Sequence, residues 1–274
     1  MMPVEFDVTG KVVFITGAGR GIGKGIAEVL ANAGADVALN ALTPKYVEPA
    51  AAEIAAASGR RVVPIVADVT KPDGVRRAVD AVLATFGRID VLVNALGDSI
   101  RKPLVTLPDA EGVVGVTDEE LRFIMDVNLT EALLCTRAVG QHMLARRSGK
   151  VINIASWTAH SGGKEMVIYT AAKTALAGFT RAQALEWAPY GVHVNAISPG
   201  LFPDVVTAGE VERELARIGH ELAPFEIVLV NTRAGSRYGS DDYVSADNHE
   251  NAKDYIADWI AETFREMGAK GVHV

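Results

Sequence analysis

Six short apolar segments rich in β-branched residues alternate along the chain with longer segments of helical spacing. The spacing predicts strands at Val12–Thr16, Asp36–Asn40, Val62–Ala67, Val91–Asn94, Val151–Ala155 and His193–Ile197. It predicts helices between them at Ile22–Ala33, Lys45–Ala57, Pro72–Phe86, Asp118–Arg146 and Ile168–Trp187. Repeated strand–helix–strand units need right-handed crossovers, which place helices on both faces of a parallel sheet. The sequence therefore predicts an α/β fold with a doubly wound parallel sheet.

The chain shows no linker or change of composition before Pro199, so residues 1–274 are expected to form a single domain that binds a dinucleotide and carries catalysis. Two regions lack the regular alternation. Residues 98–117 contain two prolines and two glycines and are expected to form a loop. Residues 200–274 are atypical, with a helical pattern at 210–222, an apolar segment at 227–230 and an amphipathic helical pattern at 252–267.

Composition narrows the class of protein. The formal net charge of −7 argues against nucleic acid or an anionic membrane as a partner. A single cysteine, Cys135, excludes an internal disulfide framework and favours a reducing compartment. No charged and apolar leader is visible at the start, and no apolar segment reaches the ~18 residues that a membrane span needs. The six histidines are scattered, so no metal site is expected. A cytoplasmic enzyme is the expectation.

A glycine-rich turn joins the first predicted strand to the first predicted helix. It reads Thr16-Gly17-Ala18-Gly19-Arg20-Gly21-Ile22-Gly23. Glycines let the backbone turn sharply and approach a pyrophosphate, and the helix N-terminus offers free N–H groups and a positive dipole to phosphate oxygens. The turn has a strand before it and a helix after it, which is the context of a dinucleotide-binding site in a Rossmann fold.

Tyr169 and Lys173 stand four residues apart in a predicted helix, with Ser156 thirteen residues upstream. Residues at i and i+4 share one face of a helix, so the phenol and the ammonium point into the same space. The pKa of a tyrosine must fall by ~3 units, which corresponds to about 4 kcal/mol, for the phenol to act near pH 7. One cation at ~4 Å supplies on the order of 4 kcal/mol at an effective dielectric of ~20. Burial of the phenolate acts in the opposite direction.

These motifs, in this order, resemble the short-chain dehydrogenase/reductase family over about residues 7–203. The glycine turn has the family's Thr-Gly-x-x-x-Gly-x-Gly spacing. Further similar segments are Ala67-Asp68-Val69, Asn94-Ala95-Leu96-Gly97 with Ala95 in place of a second asparagine, Asn128 in Asp126-Val127-Asn128-Leu129, and Asn195 to Pro199-Gly200.

The resemblance implies reversible hydride transfer between a secondary alcohol and a nicotinamide cofactor. It implies a catalytic tetrad of Asn128, Ser156, Tyr169 and Lys173. In that tetrad Tyr169 is the acid/base and also contacts the cofactor, and Lys173 lowers the tyrosine pKa and holds the cofactor ribose. Ser156 orients the substrate oxygen, and Asn128 holds a water. The remaining cofactor contacts implied are Thr16, Gly17, Gly19, Arg20, Gly21, Ile22, Gly23, Asp68, Val69, Asn94, Ala95, Pro199 and Gly200.

The cofactor is expected to be NADP rather than NAD. A carboxylate at the end of the second strand would bind the ribose hydroxyls and repel a 2′-phosphate. That position reads Leu39-Asn40-Ala41-Leu42, with no acid, and Arg20 stands inside the glycine turn. The alternative is that Arg20 is a solvated surface charge.

Substrate contacts are expected from loops at the carboxyl ends of the strands, mainly Ser156, Trp157, Tyr169 and Phe202. His160, Lys164, Met166, Leu201, Arg101 and Lys102 are further candidates, and a mixed aromatic and basic lining suits a sugar, polyol or keto-acid. Family members supply a threonine four residues after Pro-Gly, but Asp204 stands here and Thr207 follows. The usual closing Asp-Gly-Gly is absent, which puts a tetramer in doubt and leaves a homodimer through the helices of Asn128 and Tyr169.

A second reading of the sequence is a non-catalytic sensor that binds NAD(P). The altered Asn94-Ala95-Leu96-Gly97 segment and the unusual C-terminal region favour it. The complete set of Ser156, Tyr169 and Lys173 argues for the enzyme, because a sensor has no physical need for the three together.

Overall fold

The computed structural model describes residues 7–200, except 107, 109–111 and 113. It also describes the backbone of residues 227–230. The predicted contacts of Leu201, Phe202, Asp204 and Thr207, and the helical patterns at 210–222 and 252–267, lie outside the described residues.

Seven strands form one sheet in the order β3-β2-β1-β4-β5-β6-β7. Their bounds are β1 Val12–Ile15, β2 Asp36–Ala41, β3 Val62–Val66, β4 Val91–Asn94, β5 Gly149–Ile154, β6 Val192–Pro199 and β7 Ile227–Val230. The first six are parallel, with Val13 beside Val37 on one side and beside Val91 on the other. The strand order reverses between β1 and β4, and ligands bind at such a point in open α/β sheets.

Helices cover both faces of the sheet. They are α1 Gly21–Asn32, α2 Pro44–Ser58, α3 Pro72–Phe86, α4 Asp118–Met125, α5 Glu131–Arg146, α6 Thr158–Ser161 and α7 Val167–Trp187. Alternate residues of each strand enter different cores, because side chains on a strand point to opposite faces. Phe14 packs with α3, α5 and the end of α7, whereas Ile15 packs with α1 and α2. The predicted doubly wound sheet is confirmed.

Three local features differ from the sequence prediction. The helix predicted over 118–146 is divided by a π-helical segment, Asp126–Thr130, between α4 and α5. The short helix α6 was not predicted. The edge strand β7 is antiparallel to β6, with Ala196 opposite Val230, so the sheet is parallel only in its first six strands.

The described residues contain no helix that is long and apolar enough to cross a membrane. In the same part of the chain, no group of three or more His, Cys, Asp or Glu side chains is placed to hold a metal ion.

Candidate active site

The glycine turn after β1 is packed too closely for side chains at several of its positions. Gly17 has φ of +62°, and a β-carbon there would lie 2.6 Å from Leu96 Cα. A β-carbon at Gly23 would lie 2.7 Å from the carbonyl oxygen of Gly17. The Thr16 hydroxyl accepts hydrogen bonds from the backbone N–H groups of Ala95 at 3.1 Å and Leu96 at 3.3 Å. These contacts hold the loop after β4 against the turn and leave the backbone open for a ligand.

Helix α1 begins at this turn, and its first N–H groups receive no side-chain cap. Arg20 is the N-cap residue, but its side chain makes no capping hydrogen bond, and Gly21 has φ of +58°. Uncapped N–H groups at the start of a twelve-residue helix are suited to phosphate oxygens, which the helix dipole also attracts. The turn and helix together fit the pyrophosphate of a dinucleotide.

A cavity of about 760 Å³ opens from the glycine turn across the carboxyl ends of β1, β2, β3 and β4. Of the cofactor contacts predicted from the sequence, those that line it are Gly17, Gly19, Arg20, Gly21, Ile22, Gly23, Asp68, Val69 and Ala95. Thr16 and Asn94 lie behind its wall. Thr16 fixes the backbone as described, and Asn94 donates to Thr136 Oγ1 at 3.0 Å and to Asn153 Oδ1 at 2.7 Å. Asn94 is therefore positioned to organise the strands rather than to touch a ligand.

One rim of this cavity is basic and carries no carboxylate at the end of β2. Arg20 and Lys45 lie over the ring of Tyr46, with their charges 5.7 Å and 4.9 Å from its centroid. Asn40 donates to the carbonyl oxygens of Ile65 and Ala67, both at 3.0 Å, so its amide nitrogen is already used within the sheet. An anionic group at this rim would meet the Arg20 guanidinium, and no carboxylate at the end of β2 would oppose it.

Lys173 is buried on α7, one turn after Tyr169. Its Nζ atom donates to the carbonyl oxygen of Ile154 at 2.7 Å and lies 5.8 Å from the centroid of the Tyr169 ring. Burial lowers the pKa of Lys173 to about 8, because the charged form loses hydration, and the attraction of Glu131 opposes this lowering. The helical spacing therefore brings the two side chains together as the sequence predicted.

Ser156 follows β5 and is buried beside Tyr169. Its hydroxyl oxygen accepts hydrogen bonds from the Thr158 N–H at 3.2 Å and the Thr158 hydroxyl at 3.1 Å. Thr158 thereby fixes the Ser156 side chain, and the hydroxyl proton of Ser156 stays free to be donated elsewhere. This arrangement is suited to holding a carbonyl or alcohol oxygen.

Tyr169 does not have a low pKa in the protein alone. Desolvation by burial raises it, the negative charge of Asp98 raises it as well, and hydrogen bonding with Ser156 acts in the lowering direction. The net direction for the protein by itself is upward, and the lowering of this pKa by Lys173 stays a prediction. Burial raises the pKa of Tyr169 because a low-dielectric surrounding disfavours the charged phenolate.

Asn128 lies in the π-helical segment and is 1% exposed. Its amide donates to the carbonyl oxygens of Asp98 at 2.7 Å and Ile124 at 2.9 Å, while its Oδ1 atom is buried without a partner in the described part of the chain. A β-carbon at Gly97 would lie 2.8 Å from that Oδ1 and 3.3 Å from Lys173 Nζ. Asn128 and Lys173 therefore face one small space, which Gly97 leaves open.

Three other residues predicted to contact the substrate, Trp157, His160 and Lys102, differ in exposure and in bonding partner. Trp157 is 41% exposed, and its backbone N–H donates to the carbonyl oxygen of Pro199 at 3.1 Å, which joins the end of β6 to the active-site loop. His160 is bound to Ser198 at 3.0 Å, so it faces β6. Lys102 forms an ion pair with Glu120 and is not a free substrate ligand.

Sequence reasoning missed one buried group, Glu131. It is 1% exposed at the start of α5, and burial raises its pKa to about 7. The signal was present: Asn128, Glu131, Cys135 and Val139 recur at helical spacing, and the other three occupy the buried face. An acid within such a pattern marks a position that apolar packing alone does not explain.

The profile of the short chain dehydrogenase family matches residues 11–215. The chain belongs to this family. It is 37% identical over 195 residues to 2-dehydro-3-deoxy-D-gluconate 5-dehydrogenase of Bacillus subtilis (strain 168), covering 71% of this chain and 72% of that one. The enzyme of the same name from Escherichia coli (strain K12) is 36% identical over 202 residues, covering 73% and 75%. A crystal structure of NAD⁺-bound xylitol dehydrogenase superposes with a TM-score of 0.66 at 32% identity, covering 78% of each chain.

Short-chain dehydrogenases use NAD or NADP, and the cavity at the glycine turn is the candidate site for that cofactor. The protein is an NAD(P)-dependent alcohol dehydrogenase or ketoreductase. The reading as a non-catalytic sensor is therefore not retained.

Proposed function

We propose that the protein oxidises a secondary alcohol of a polyol or sugar acid, or reduces the matching ketone, with Tyr169 as the acid/base. The observation that carries this proposal is the convergence of Ser156, Tyr169, Lys173 and Asn128 beside the dinucleotide cavity. The nicotinamide, when bound, supplies the hydride to the carbonyl carbon or accepts it from the alcohol carbon.

The four side chains divide the remaining work. In reduction, the Tyr169 hydroxyl gives its proton to the substrate oxygen; in oxidation, the phenolate takes the alcohol proton. Ser156 donates a hydrogen bond to the same oxygen. Lys173 holds positive charge near the phenolate, and the space that it shares with Asn128 and Gly97 offers a route by which Tyr169 recovers a proton.

The substrate class is supported by the relatives and by the site. The relatives' names specify a sugar acid and a polyol. In this chain, Trp157 offers an exposed aromatic surface and Arg101 an exposed cation at the same end of the sheet. Arg101 is suited to the carboxylate of a sugar acid.

The preferred cofactor in this proposal is NADP. Arg20 and Lys45 flank Tyr46 at the rim of the cavity, and no carboxylate stands at the end of β2. The NAD⁺ in the xylitol dehydrogenase structure is a property of that protein and leaves NAD as the alternative outcome of the test.

A homodimer through α5 and α7 is also part of the proposal. The surface between these helices forms a groove of about 520 Å³ with Leu133, Phe179 and Trp187 in its walls. Apolar side chains at such a surface are suited to a second copy of the chain.

Replacing Tyr169 by phenylalanine tests the chemistry. The Tyr169→Phe variant keeps the ring but has no proton to give, so kcat is expected to fall by about 10²–10⁴-fold, the usual contribution of a general acid/base. Turnover is measured by the absorbance of reduced nicotinamide on 2-dehydro-3-deoxy-D-gluconate, xylitol and propan-2-ol. The Tyr190→Phe variant is the matched control, because Tyr190 is 45% exposed beyond the other end of α7.

The dissociation constant of the cofactor should remain within about threefold in Tyr169→Phe, because the dinucleotide cavity is unchanged. A Tyr169→Phe variant that turns over at the rate of the wild type would refute the acid/base role. Turnover of propan-2-ol alone would refute the proposed substrate class.

A further inference from the structure

Glu131 is a buried carboxyl group that the proposed reaction does not use. It is the first residue of α5, three residues after Asn128, and 1% of its surface is exposed. Its Oε1 atom has no hydrogen-bond partner among the residues that the structure describes. Burial of a carboxyl group is costly when its hydrogen bonds to water are not replaced. Such a group beside a reaction centre is a candidate for a functional role.

Three side chains from different parts of the fold influence the protonation of the Glu131 carboxyl group. Thr16, at the end of β1, accepts two backbone hydrogen bonds through its hydroxyl oxygen and can direct its proton to Glu131. Cys135, one turn further along α5, is uncharged because burial and the neighbouring carboxyl raise the pKa of its thiol. Lys173, from α7, is the cation whose charge attracts Glu131. Among the described residues, Lys173 is the charged group whose attraction acts on this carboxyl, and it belongs to the proposed catalytic set.

Few other groups in the described residues stabilise the ammonium form of Lys173. It is 3% exposed, and its hydrogen-bond partner in the described residues is the carbonyl oxygen of Ile154. Burial lowers the pKa of Lys173, and the attraction of Glu131 is the effect that raises it. A carbonyl oxygen is only a partial negative charge, so the loss of Glu131 would leave the buried ammonium without a counter-ion.

We propose that Glu131 is a positioning residue whose buried carboxylate is the counter-ion that keeps Lys173 protonated during alcohol oxidation. This inference rests on the proposed function, in which Tyr169 acts as the phenolate beside protonated Lys173. Rising pH produces the phenolate but removes the proton from Lys173. Because a carboxylate near Lys173 stabilises its ammonium form, it extends the pH range in which protonated Lys173 and the Tyr169 phenolate exist together.

The test compares pH profiles of kcat/KM for alcohol oxidation in the wild type and in Glu131→Gln. Glutamine keeps the size of the side chain but carries no charge. The substrate is the alcohol of the panel above with the highest kcat/KM. Glu119→Gln is the matched control, because Glu119 is an exposed acid in the first turn of α4. The profile of kcat/KM reports the ionisations of the free enzyme, where the Glu131–Lys173 pair acts.

The alkaline limb of Glu131→Gln is expected to move to lower pH by about one unit, the lower end of the usual effect of a nearby opposite charge. The profile of Glu119→Gln should match that of the wild type. A purely structural role for Glu131 would scale the whole profile and leave the alkaline limb in place, which would overturn the inference. Absence of turnover in the wild type and both variants would instead overturn the proposed function.

A second measurement decides the point if Glu131→Gln fails to fold or the wild type shows no turnover. The ¹³Cε resonance of Lys173 is followed against pH in the full wild-type chain with labelled lysine, and is assigned by its loss in Lys173→Met. Two interacting groups titrate as a pair, so the resonance is expected to show two inflections. A single inflection would show that Lys173 titrates independently of Glu131 and would overturn the inference.

Discussion

Gly74 lies where a side chain would displace the wall of the dinucleotide cavity. It is the third residue of α3, and a β-carbon there would lie 1.8 Å from the carbonyl oxygen of Asp68 and 2.7 Å from its carbonyl carbon. Asp68 and Val69 line the cavity at this point. The atoms in conflict belong to the backbone, so they cannot move aside as the end of a flexible side chain can.

The cost of Gly74→Ala can be worked from this geometry. An ordinary contact requires the carbonyl oxygen to move by about 1.5 Å, and an added methyl group in a packed site costs about 1–3 kcal/mol. Replacing glycine by alanine inside a helix gains about 1 kcal/mol, which offsets part of that cost. We expect a net loss of up to about 2 kcal/mol in the free energy of unfolding, or a few degrees in Tm. The dissociation constant of the dinucleotide should rise, because Asp68 moves with its carbonyl group.

Gly25→Ala is the matched control. Gly25 lies inside α1, and no atom is within 4 Å of the position that its β-carbon would take. This variant should gain the helical preference of alanine without a clash and be about 0.5–1 kcal/mol more stable than the wild type. Thermal denaturation and fluorescence titration with NADPH compare the two variants. A Gly74→Ala protein that is as stable as Gly25→Ala and binds the dinucleotide as tightly as the wild type would refute the packing of α3 against Asp68.

Three further predictions concern charge. Arg20→Ala should raise the dissociation constant of NADPH several-fold more than that of NADH, because Arg20 lies at the rim without a carboxylate; equal effects on both would remove the assignment to NADP. Burial raises the pKa of Glu131 from 4.5 to about 7, so between these pH values the folded state keeps a proton that the unfolded chain releases. The free energy of unfolding of the wild type, relative to that of Glu131→Gln, should therefore fall by about 3 kcal/mol as pH rises from 4.5 to 7. Urea denaturation at pH 5 and pH 7 measures this difference, and a constant difference would contradict it. Burial lowers the pKa of Lys173 from 10.5 to about 8, so the unfolded chain takes up this proton at a higher pH than the folded protein does. The free energy of unfolding should therefore fall as pH is lowered from 10.5 to 8.

The sequence predicted the sheet and the glycine turn because their residue types have few alternatives. Strands buried on both faces, such as Val12–Ile15, need continuous apolar residues, and no amphipathic helix has that pattern. Gly17 and Gly23 lie against backbone atoms at distances that no side chain would permit, so the turn itself selects its sequence. The spacing of Tyr169 and Lys173 placed both side chains at one site because a regular helix fixes the direction of residues four apart.

The π-helical segment could not be predicted, because its residues fit an ordinary helix equally well. Apolar spacing over 118–146 is consistent with a continuous α-helix, and no proline or glycine marks the change at Asp126–Thr130. A π-turn adds one residue to the hydrogen-bonded ring and so rotates the residues before it relative to those after it. Asn128 lies inside this segment and Glu131 directly follows it, and both side chains are buried. Pattern counting records residue spacing and does not detect a local change in helical pitch.

The protonation state of Tyr169 shows why a residue pair does not by itself define a catalytic group. Reasoning from the sequence weighed one cation against the ordinary pKa of a phenol and found the cation sufficient. In the folded protein, burial raises the pKa of Tyr169, Asp98 adds to the effect, and burial also weakens Lys173 as a cation by lowering its own pKa. Both members of the pair are therefore shifted towards their neutral forms, because desolvation disfavours charge of either sign. The charged pair that oxidation requires must be supported by groups outside it. Glu131 is the one that the described part of the chain supplies on the Lys173 side, which makes the pH limits of the reaction depend on a carboxyl group that never touches the substrate.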